Sequence, residues 1–390
     1  MVDPIEPSAL AVPGPPAPPQ PSPELLDELV ELVPATARCR TTDDDLRDML
    51  RYILASGVTV DALRDAVLGG DPRQALVEHR ILGAVNRYSV EEAAARTGLH
   101  HSRVVEVLRA CGLPVPEPGQ RGIPATDLAA IELFGRVDSF FGAETVLRFS
   151  RVMSQSVSRV AEAAISMFGM NVEDPLLARG GSQTELTKAA DVALTAIPVI
   201  PELFRVLFAH HALDASRRLG GARTDPTTHD TVTVAVGFAD LVRSTEWTAA
   251  LTPRELAEAL GEFERLGDAA RVGTARIVKT IGDELMFTAV DPVDACRTGL
   301  AIAGALAEEQ RLPDLRVGIA YGPVVALDGD FYGSVVNLAS RLVEQATPGR
   351  VVVDPATVAA VTPTLQFEPL PAREVAGFDQ PVTPSLIVPA

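Results

Sequence analysis

The chain has 390 residues, 47% of them hydrophobic, which is enough for two domains that each bury a core. Its formal net charge of −18 argues against a protein that coats nucleic acid or an anionic membrane surface. Three widely spaced cysteines predict neither a disulfide framework nor a zinc knuckle, and the acidic, proline-rich start does not have the pattern of a signal peptide. We therefore expect a cytoplasmic protein.

The first half of the chain is predicted to be helical. Residues 1–23 are rich in proline and predict a disordered tail. From 24 to 219 the apolar residues recur at three- and four-residue spacings, which predicts an all-helical domain for regulation or dimerisation. Within it, the apolar run 189–208 is interrupted by charges and two prolines, so it predicts a buried helical segment and not a transmembrane span. The polar run 220–230 predicts a linker.

One segment of the helical half, from Tyr88 to Arg109, has the shape of a helix-turn-helix. A DNA-binding regulator is therefore an alternative function. Against it, the second helix of the segment carries Glu106 beside Arg103 and Arg109, whereas contacts with DNA phosphates need a basic face. We expect no nucleic-acid partner.

The second half alternates strands and helices. The pattern predicts strands at 231–239, 275–281, 284–290, 315–321, 323–328, 350–353 and 384–388, and helices at 252–271, 292–310 and 334–346. The order strand-helix-strand-strand-helix-strand, with additions, is the split βαβ pattern of a ferredoxin-like sheet. The predicted fold class is α+β, with an all-helical N-terminal domain followed by a ferredoxin-like domain over 231–390.

Two aspartates are predicted to meet at one end of this sheet. Asp240 ends the first strand and Asp283 precedes the third strand. These strands are antiparallel neighbours in a split βαβ sheet, so the exit of one lies beside the entry of the other. Mg²⁺ is held in proteins by one or two carboxylates together with substrate phosphates. The pair therefore predicts a metal site.

Other polar residues have spacings that suit a phosphorylated ligand. Asn337 and Arg341 lie one turn apart on the same face of a predicted helix, where they could hold a ribose oxygen and charge on a transferring phosphoryl group. The backbone of residues 241–245 leads towards a helix and could face phosphate oxygens. Lys279 is one of only two lysines among 34 basic residues, so its compact ammonium in an apolar run predicts a specific role.

Three motifs occur in order: VGFADLVRST at Val236–Thr245, KTIGD at Lys279–Asp283 and DFYGSVVNLASR at Asp330–Arg341. The segment 231–389 resembles the class III nucleotide cyclase domain of adenylate cyclases. The two-domain plan resembles actinobacterial soluble adenylate cyclases, in which a helical N-terminal half regulates catalysis, in some members in response to acid pH or lipid.

The resemblance implies a reaction and a role for each matching residue. The implied roles are metal binding by Asp240 and Asp283, adenine reading by Lys279 and Asp330, and transition-state stabilisation by Asn337 and Arg341. The implied enzyme makes cyclic AMP from ATP with two Mg²⁺ ions per site, or Mn²⁺ in their place. It is a homodimer whose composite sites take the metal aspartates from one subunit and the other residues from its partner.

The phosphate end of the expected site departs from the family pattern. We place Phe238, Arg243 and Thr245 among the substrate-binding residues, although relatives commonly have glycine where this chain has Arg243. Near the C-terminus, Ala376 stands where many relatives have a cation. A catalytically inactive domain kept for dimerisation or nucleotide sensing is a further alternative, but the six intact residues argue against it.

Two adjacent histidines, His210 and His211, end the helical half just before the linker. Protonation of histidine near pH 6–7 could bias a helix at this position. We therefore expect a proton, or a lipid as in some relatives, to regulate the enzyme through its helical half.

Overall fold

A computed structural model describes residues 21–34, 41–83, 86–222, 231–309 and 311–388. Most of the predicted tail and of the predicted linker therefore lies outside the described residues. The chain divides into two compact units between Val206 and Leu207, within a long helix, so the C-terminal part of this helix belongs with the second unit.

The first unit is built almost entirely of helices. They are α1 (Pro23–Leu32), α2 (Asp43–Ala55), α3 (Val60–Leu68), α4 (Arg73–Leu82), α5 (Val90–Thr97), α6 (His101–Ala110), α7 (Ala125–Phe141), α8 (Ala143–Phe168), a π-helical turn (Gly169–Glu173), α9 (Asp174–Ala178), α10 (Gln183–Leu194) and α11 (Val199–Ala222). The predicted helical half also contains a small ladder in which β1 (Arg87–Tyr88) pairs antiparallel with β2 (Ile123–Pro124).

A partly buried polar network joins three helices of this unit. The Asp191 carboxylate on α10 accepts hydrogen bonds from Arg80 Nε on α4 at 2.6 Å and from the Tyr52 hydroxyl on α2 at 2.7 Å. Because the Arg80 guanidinium bonds to it, the pKa of Asp191 is lowered, even though burial opposes ionisation. The network fixes α10 against α2 and α4.

The apolar run 189–208 is largely exposed, so its predicted burial is wrong. Val192 on α10 is 69% exposed, and Leu203 and Phe208 on α11 are 54% and 60% exposed. The apolar residues of α11 lie all around the helix, and one chain offers too little surface to cover them. In the described part of the chain no single helix is long and apolar enough to cross a membrane, although the bent pair Gln183–Leu194 and Val199–Arg218 qualifies by length and composition.

The helix-turn-helix shape is present in α5 and α6, which are joined through Gly98 with a φ of 71°. Ser89 caps α5 in a capping box with Glu92. On α6, Arg103 donates to both carboxylate oxygens of Asp138, at 2.6 and 2.8 Å. Its guanidinium is thus engaged within the fold, which weakens the DNA-binding alternative.

The second unit is a sheet with helices on both faces. Its strands are β3 (Thr231–Leu241), β4 (Arg276–Ile281), β5 (Glu284–Ala289), β6 (Leu315–Leu327), β7 (Asp330–Tyr332), β8 (Val351–Val353), β9 (Gln366–Pro369) and β10 (Ser385–Val388). Its further helices are α12 (Ser244–Ala249), α13 (Pro253–Ala269), α14 (Pro292–Glu308), α15 (Ser334–Gln345) and α16 (Pro355–Val361). The strand order is β4-β5-β3-β6-β8-β10-β9, with β7 paired to β6. The segment β3-α13-β4-β5-α14-β6 is the predicted split βαβ core.

The predicted break between strands 315–321 and 323–328 is wrong, because β6 runs unbroken through Gly322 and Pro323. Pro323 pairs with Thr233 of β3. On the other side of β6, β8 pairs only with residues 317–319 and β7 only with 325–327. The missing N–H of proline is tolerated at a point where one side of the strand has no ladder partner among the described residues.

Helix α15 lies close against the sheet because β6 has glycine beneath it. A Cβ atom at Gly318 would lie 2.4 Å from Val343 N and 2.6 Å from Ala339 O, both backbone atoms of α15. Leu338 and Leu342 of α15 pack with Phe238 of β3 in one hydrophobic core. The opposite face of the sheet packs on α13, α14 and α16 in a second core.

Candidate active site

The two predicted metal aspartates lie together at one end of the sheet. Asp240 pairs in register with Glu284 of β5 and with Arg316 of β6. Asp283 is the residue before β5, and its carbonyl accepts a hydrogen bond from Leu241 N at 3.2 Å. The predicted neighbourhood of the two aspartates is thus present, on strands held by hydrogen bonds on both sides of β3.

These aspartates belong to a larger acidic cluster. Burial is the main cause that raises the pKa of Asp240, and the charges of Asp283 and Glu344 add to it. Burial and the charges of Asp240, Asp283 and Glu344 raise the pKa of Glu284 to about 7. Asp240, Asp283 and Glu284 are thus partly buried carboxyl groups close together, with the charge of the exposed Glu344 nearby, an arrangement that a divalent cation would stabilise.

Arg316 is the cation that partly balances this cluster, and the sequence reasoning missed it. Its Nη2 atom lies 2.5 Å from Asp240 Oδ2, and the two residues are opposite each other on β6 and β3. Its buried Nε atom has no hydrogen-bond partner among the residues that the structure describes. Arg316 is the second residue of β6, and its place opposite Asp240 follows only from the register of β3 and β6. The sequence alone does not determine that register.

A β-bulge places Lys279 on the α15 face of the sheet. The β4–β5 register shifts between Ile277, which lies opposite Phe287, and Lys279, which lies opposite Met286. Phe287 belongs to the core on the α13 side, whereas Met286 belongs to the core on the α15 side. The extra residue at the bulge therefore turns Lys279 to the α15 side, as bulges re-aim side chains elsewhere.

Lys279 forms an ion pair with Asp330 of β7. The side chains are 38% and 23% exposed, so the pair is reachable from solvent. The second Asp330 oxygen, Oδ1, accepts a hydrogen bond from Phe331 N at 2.9 Å, which fixes the carboxylate. The structure thus brings together the two residues predicted to read the base, as one donor beside one acceptor.

Asn337 and Arg341 lie on the exposed side of α15, whereas Leu338, Ala339 and Leu342 face the sheet. The Arg341 guanidinium donates to Glu344 on the same helix at 2.9 Å. Both predicted transition-state residues therefore point away from the sheet that carries their own chain's aspartates.

The residues expected at the phosphate end differ in accessibility. Phe238 is only 6% exposed and packs in the core between the sheet and α15, so its side chain stabilises the elements that carry the site. Arg243 and Thr245 are exposed, and Arg243 takes the left-handed φ of 55° immediately before α12. Arg243 and Arg311 both line an open cleft of about 750 Å³ that begins two residues beyond Asp240. Ala376 is exposed and offers no charge.

The donor set fits a hard divalent cation that also binds substrate phosphates. Two carboxylates and nearby backbone carbonyls are typical of Mg²⁺ sites that are completed by a nucleotide. In the described part of the chain no group of three or more histidine, cysteine, aspartate or glutamate residues forms a self-sufficient metal cage.

Both parts of the chain are similar to known proteins. Residues 225–383 match the family described as the adenylate and guanylate cyclase catalytic domain, and residues 23–213 match the adenylate cyclase regulatory domain. An adenylate cyclase of Streptomyces coelicolor is 32% identical over 290 residues, which cover 74% of this chain and 75% of that protein. The chain belongs to the adenylate cyclase family.

Two further similarities place this cyclase among known proteins. A pH-sensitive adenylate cyclase of Mycobacterium tuberculosis is 26% identical over 84% of this chain and 81% of its own length. The solved adenylyl cyclase CyaB from P. aeruginosa is 23% identical and covers 41% of this chain and 95% of its own, with a TM-score of 0.36. The cyclase is an enzyme with a regulatory and a catalytic domain, and catalytic domains of this family generally use divalent metal ions.

Proposed function

We propose that this cyclase converts ATP to 3′,5′-cyclic AMP and pyrophosphate. The observation that carries the proposal is the pairing of Lys279 with Asp330 on one exposed edge of the site. An ammonium donor beside a carboxylate acceptor complements the N1 acceptor and the amino donor of adenine, whereas guanine presents the reverse pattern. The preferred substrate is therefore ATP and not GTP.

Asp240 and Asp283 hold two Mg²⁺ ions, with Mn²⁺ as the alternative metal. Bound divalent ions supply the charge that acidifies the ribose 3′-hydroxyl and orients the triphosphate for in-line attack on the α-phosphorus. Asn337 donates to the ribose, and Arg341 neutralises the charge that develops on the phosphoryl group. Arg243 and Thr245 contact the phosphates.

The active enzyme is a homodimer with composite sites. Asn337 and Arg341 are exposed on the outer face of α15, so a second chain is the simplest source of aspartates for them to face. In such a dimer each chain supplies metal ligands to one site and transition-state residues to the other. A monomer is inactive because its two half-sites face different directions and cannot meet within one chain.

The test measures cyclic AMP production from ATP, with GTP as the control substrate. Wild type is expected to be active with ATP, and Asp240→Ala and Arg341→Ala are each expected to lose at least a hundredfold in kcat. Mixing the two inactive variants should restore activity, because one site of the mixed dimer keeps both intact halves. Arg254→Ala, at an exposed arginine paired with Glu258 on its own helix, serves as a matched control. An inert wild type, or no recovery on mixing, contradicts the proposal.

We further propose that the helical half makes this activity pH-dependent through His210 and His211. Both imidazoles are exposed on α11, where they can exchange protons with solvent. A relative is named pH-sensitive. The double variant His210→Gln/His211→Gln should flatten the pH–activity profile between pH 5.5 and 7.5, with His229→Gln as the control. An unchanged profile would leave the apolar surface of α11, and a lipid bound to it, as the alternative route of regulation.

A further inference from the structure

Arg276 lies three residues before Lys279 on β4 and has no role in the proposed reaction. It is opposite Thr288 of β5, while Lys279 is opposite Met286. In a regular strand, residues three apart point to opposite faces. The bulge between Ile277 and Lys279 cancels this alternation, so the Arg276 and Lys279 side chains lie on the same face of the sheet.

On that face, Arg276 contacts the hairpin that carries Asp330. Its guanidinium carbon lies 5.3 Å from the centre of the Phe331 ring, a cation–π distance. Its Nη2 atom reaches the Gly329 carbonyl at 3.5 Å. Arg276 thus touches the residues on both sides of Asp330, while Phe331 N bonds directly to the Asp330 carboxylate.

The end of helix α11 lines a cavity together with Arg276. Arg218 and Arg276 both line a cavity of about 330 Å³, together with Asp330 and Phe331. Arg218 is paired with Asp214 one turn earlier on α11. Burial and the neighbouring charge of Arg218 lower the pKa of Arg276, whereas Asp330 and Asp214 oppose this effect. The charges on the helix end therefore act on Arg276.

We propose that Arg276 is a positioning residue that holds the Asp330 hairpin against Lys279 and that the end of α11 acts on base recognition through it. This inference rests on the proposed function, because it concerns how the ATP base is read. Arg276 does not touch the reacting atoms. Its expected effect is on KM and on the preference for ATP over GTP, since it fixes the acceptor of the base-reading pair.

The first experiment measures kcat and KM with ATP and with GTP for wild type, Arg276→Ala, Arg276→Lys and the control Arg254→Ala. Arg276→Ala is expected to raise the KM for ATP about tenfold and to reduce the ATP-over-GTP ratio of kcat/KM by a similar factor, with kcat changed less. Arg276→Lys keeps the charge but not the planar stack on Phe331, so it should recover part of the ATP preference. Arg254→Ala should match wild type.

Two results would overturn the inference. One is an Arg276→Ala enzyme whose KM for ATP and ATP-over-GTP ratio remain within twofold of wild type. The other is an equal loss of kcat with both nucleotides together with a lower Tm, which marks a merely structural arginine. Failure of the proposed function looks different, because wild type itself would then make no cyclic AMP.

A second experiment addresses the helix end. Arg218→Ala removes a positive charge that repels the Arg276 guanidinium. Arg276 should then hold the Asp330 hairpin more firmly, so the KM for ATP should fall about threefold in the wild-type background. The same change made in Arg276→Ala should have no effect on KM, because the residue that transmits it is gone. Equal effects of Arg218→Ala in both backgrounds would show that α11 acts on the site by another route.

Discussion

Gly318→Ala tests whether the close approach of α15 to β6 positions the residues of the site. Gly318 is on the α15 face of β6, opposite Phe238 of β3. An added Cβ atom would lie 2.4 Å from Val343 N and 2.6 Å from Ala339 O. These are backbone atoms, so no side chain can rotate away and the helix itself has to move.

The size of the movement follows from these distances. Ordinary contact of a Cβ atom begins at 3.4 Å, so α15 has to shift by about 1 Å. Overpacking of this kind typically costs about 1–3 kcal/mol of unfolding free energy. Because Asn337 and Arg341 are on the shifted helix, a displacement of about 1 Å is expected to lower kcat by roughly a hundredfold.

The assay combines thermal unfolding with cyclic AMP production at saturating ATP. The matched control is Gly304→Ala, at an exposed glycine of α14 where nothing lies within 4 Å of the new methyl group. That control should gain about 0.5–1 kcal/mol, since alanine is the better helix former, and should keep wild-type kcat. A Gly318→Ala enzyme with kcat within twofold of wild type would refute the argument that this contact sets the site geometry.

Three further outcomes are expected. Asp191→Asn should cost about 1–2 kcal/mol of unfolding free energy at pH 7 because it removes the charge that pairs with the partly exposed Arg80. Since the folded-state pKa of Asp191 is lowered, the Tm difference from wild type should be full above about pH 4 and should shrink as pH falls below that. Arg316→Met should lower the Tm measured in EDTA and enlarge the gain in Tm on adding Mg²⁺, because the arginine and the metal share Asp240; an unchanged metal-induced gain would contradict this. Removal of divalent metal with EDTA should abolish cyclic AMP production, with recovery on adding Mg²⁺ or Mn²⁺, and residual activity without any divalent ion would contradict the metal assignment.

The sequence predicted the core of the catalytic domain because the spacing of apolar residues there indicates the same strands and helices as the propensities of the individual residues. The strand ending at Asp240 is a continuous apolar run, and α15 has a clear apolar stripe. The errors arose where tertiary context decides. Gly322 and Pro323 look like a turn, yet the strand continues because one of its sides has no partner there. The apolar run 189–208 looked like core, but one chain leaves it exposed.

The sequence predicted the candidate site only for residues whose positions follow directly from the order of the strands. Asp240 and Asp283 meet because antiparallel neighbours bring them together. The direction of Lys279 depends on the bulge before it, and no local composition signals a one-residue shift in register. The roles of Arg316 and Arg276 depend on pairing across strands and on a distant hairpin. Such contacts are properties of the folded chain and not of any short segment.

These differences suggest where a regulatory signal could act. Asp240 is on β3, a central strand hydrogen-bonded on both sides, so moving it would break the sheet. Asp330, in contrast, is on a three-residue strand with a single ladder partner, and it depends on Arg276 and Phe331 for its position. Elements with few backbone partners are the first to move in a folded protein. If Lys279 and Asp330 read the base as proposed, a change at the end of α11 would therefore alter base recognition at low energetic cost while Asp240 stays fixed.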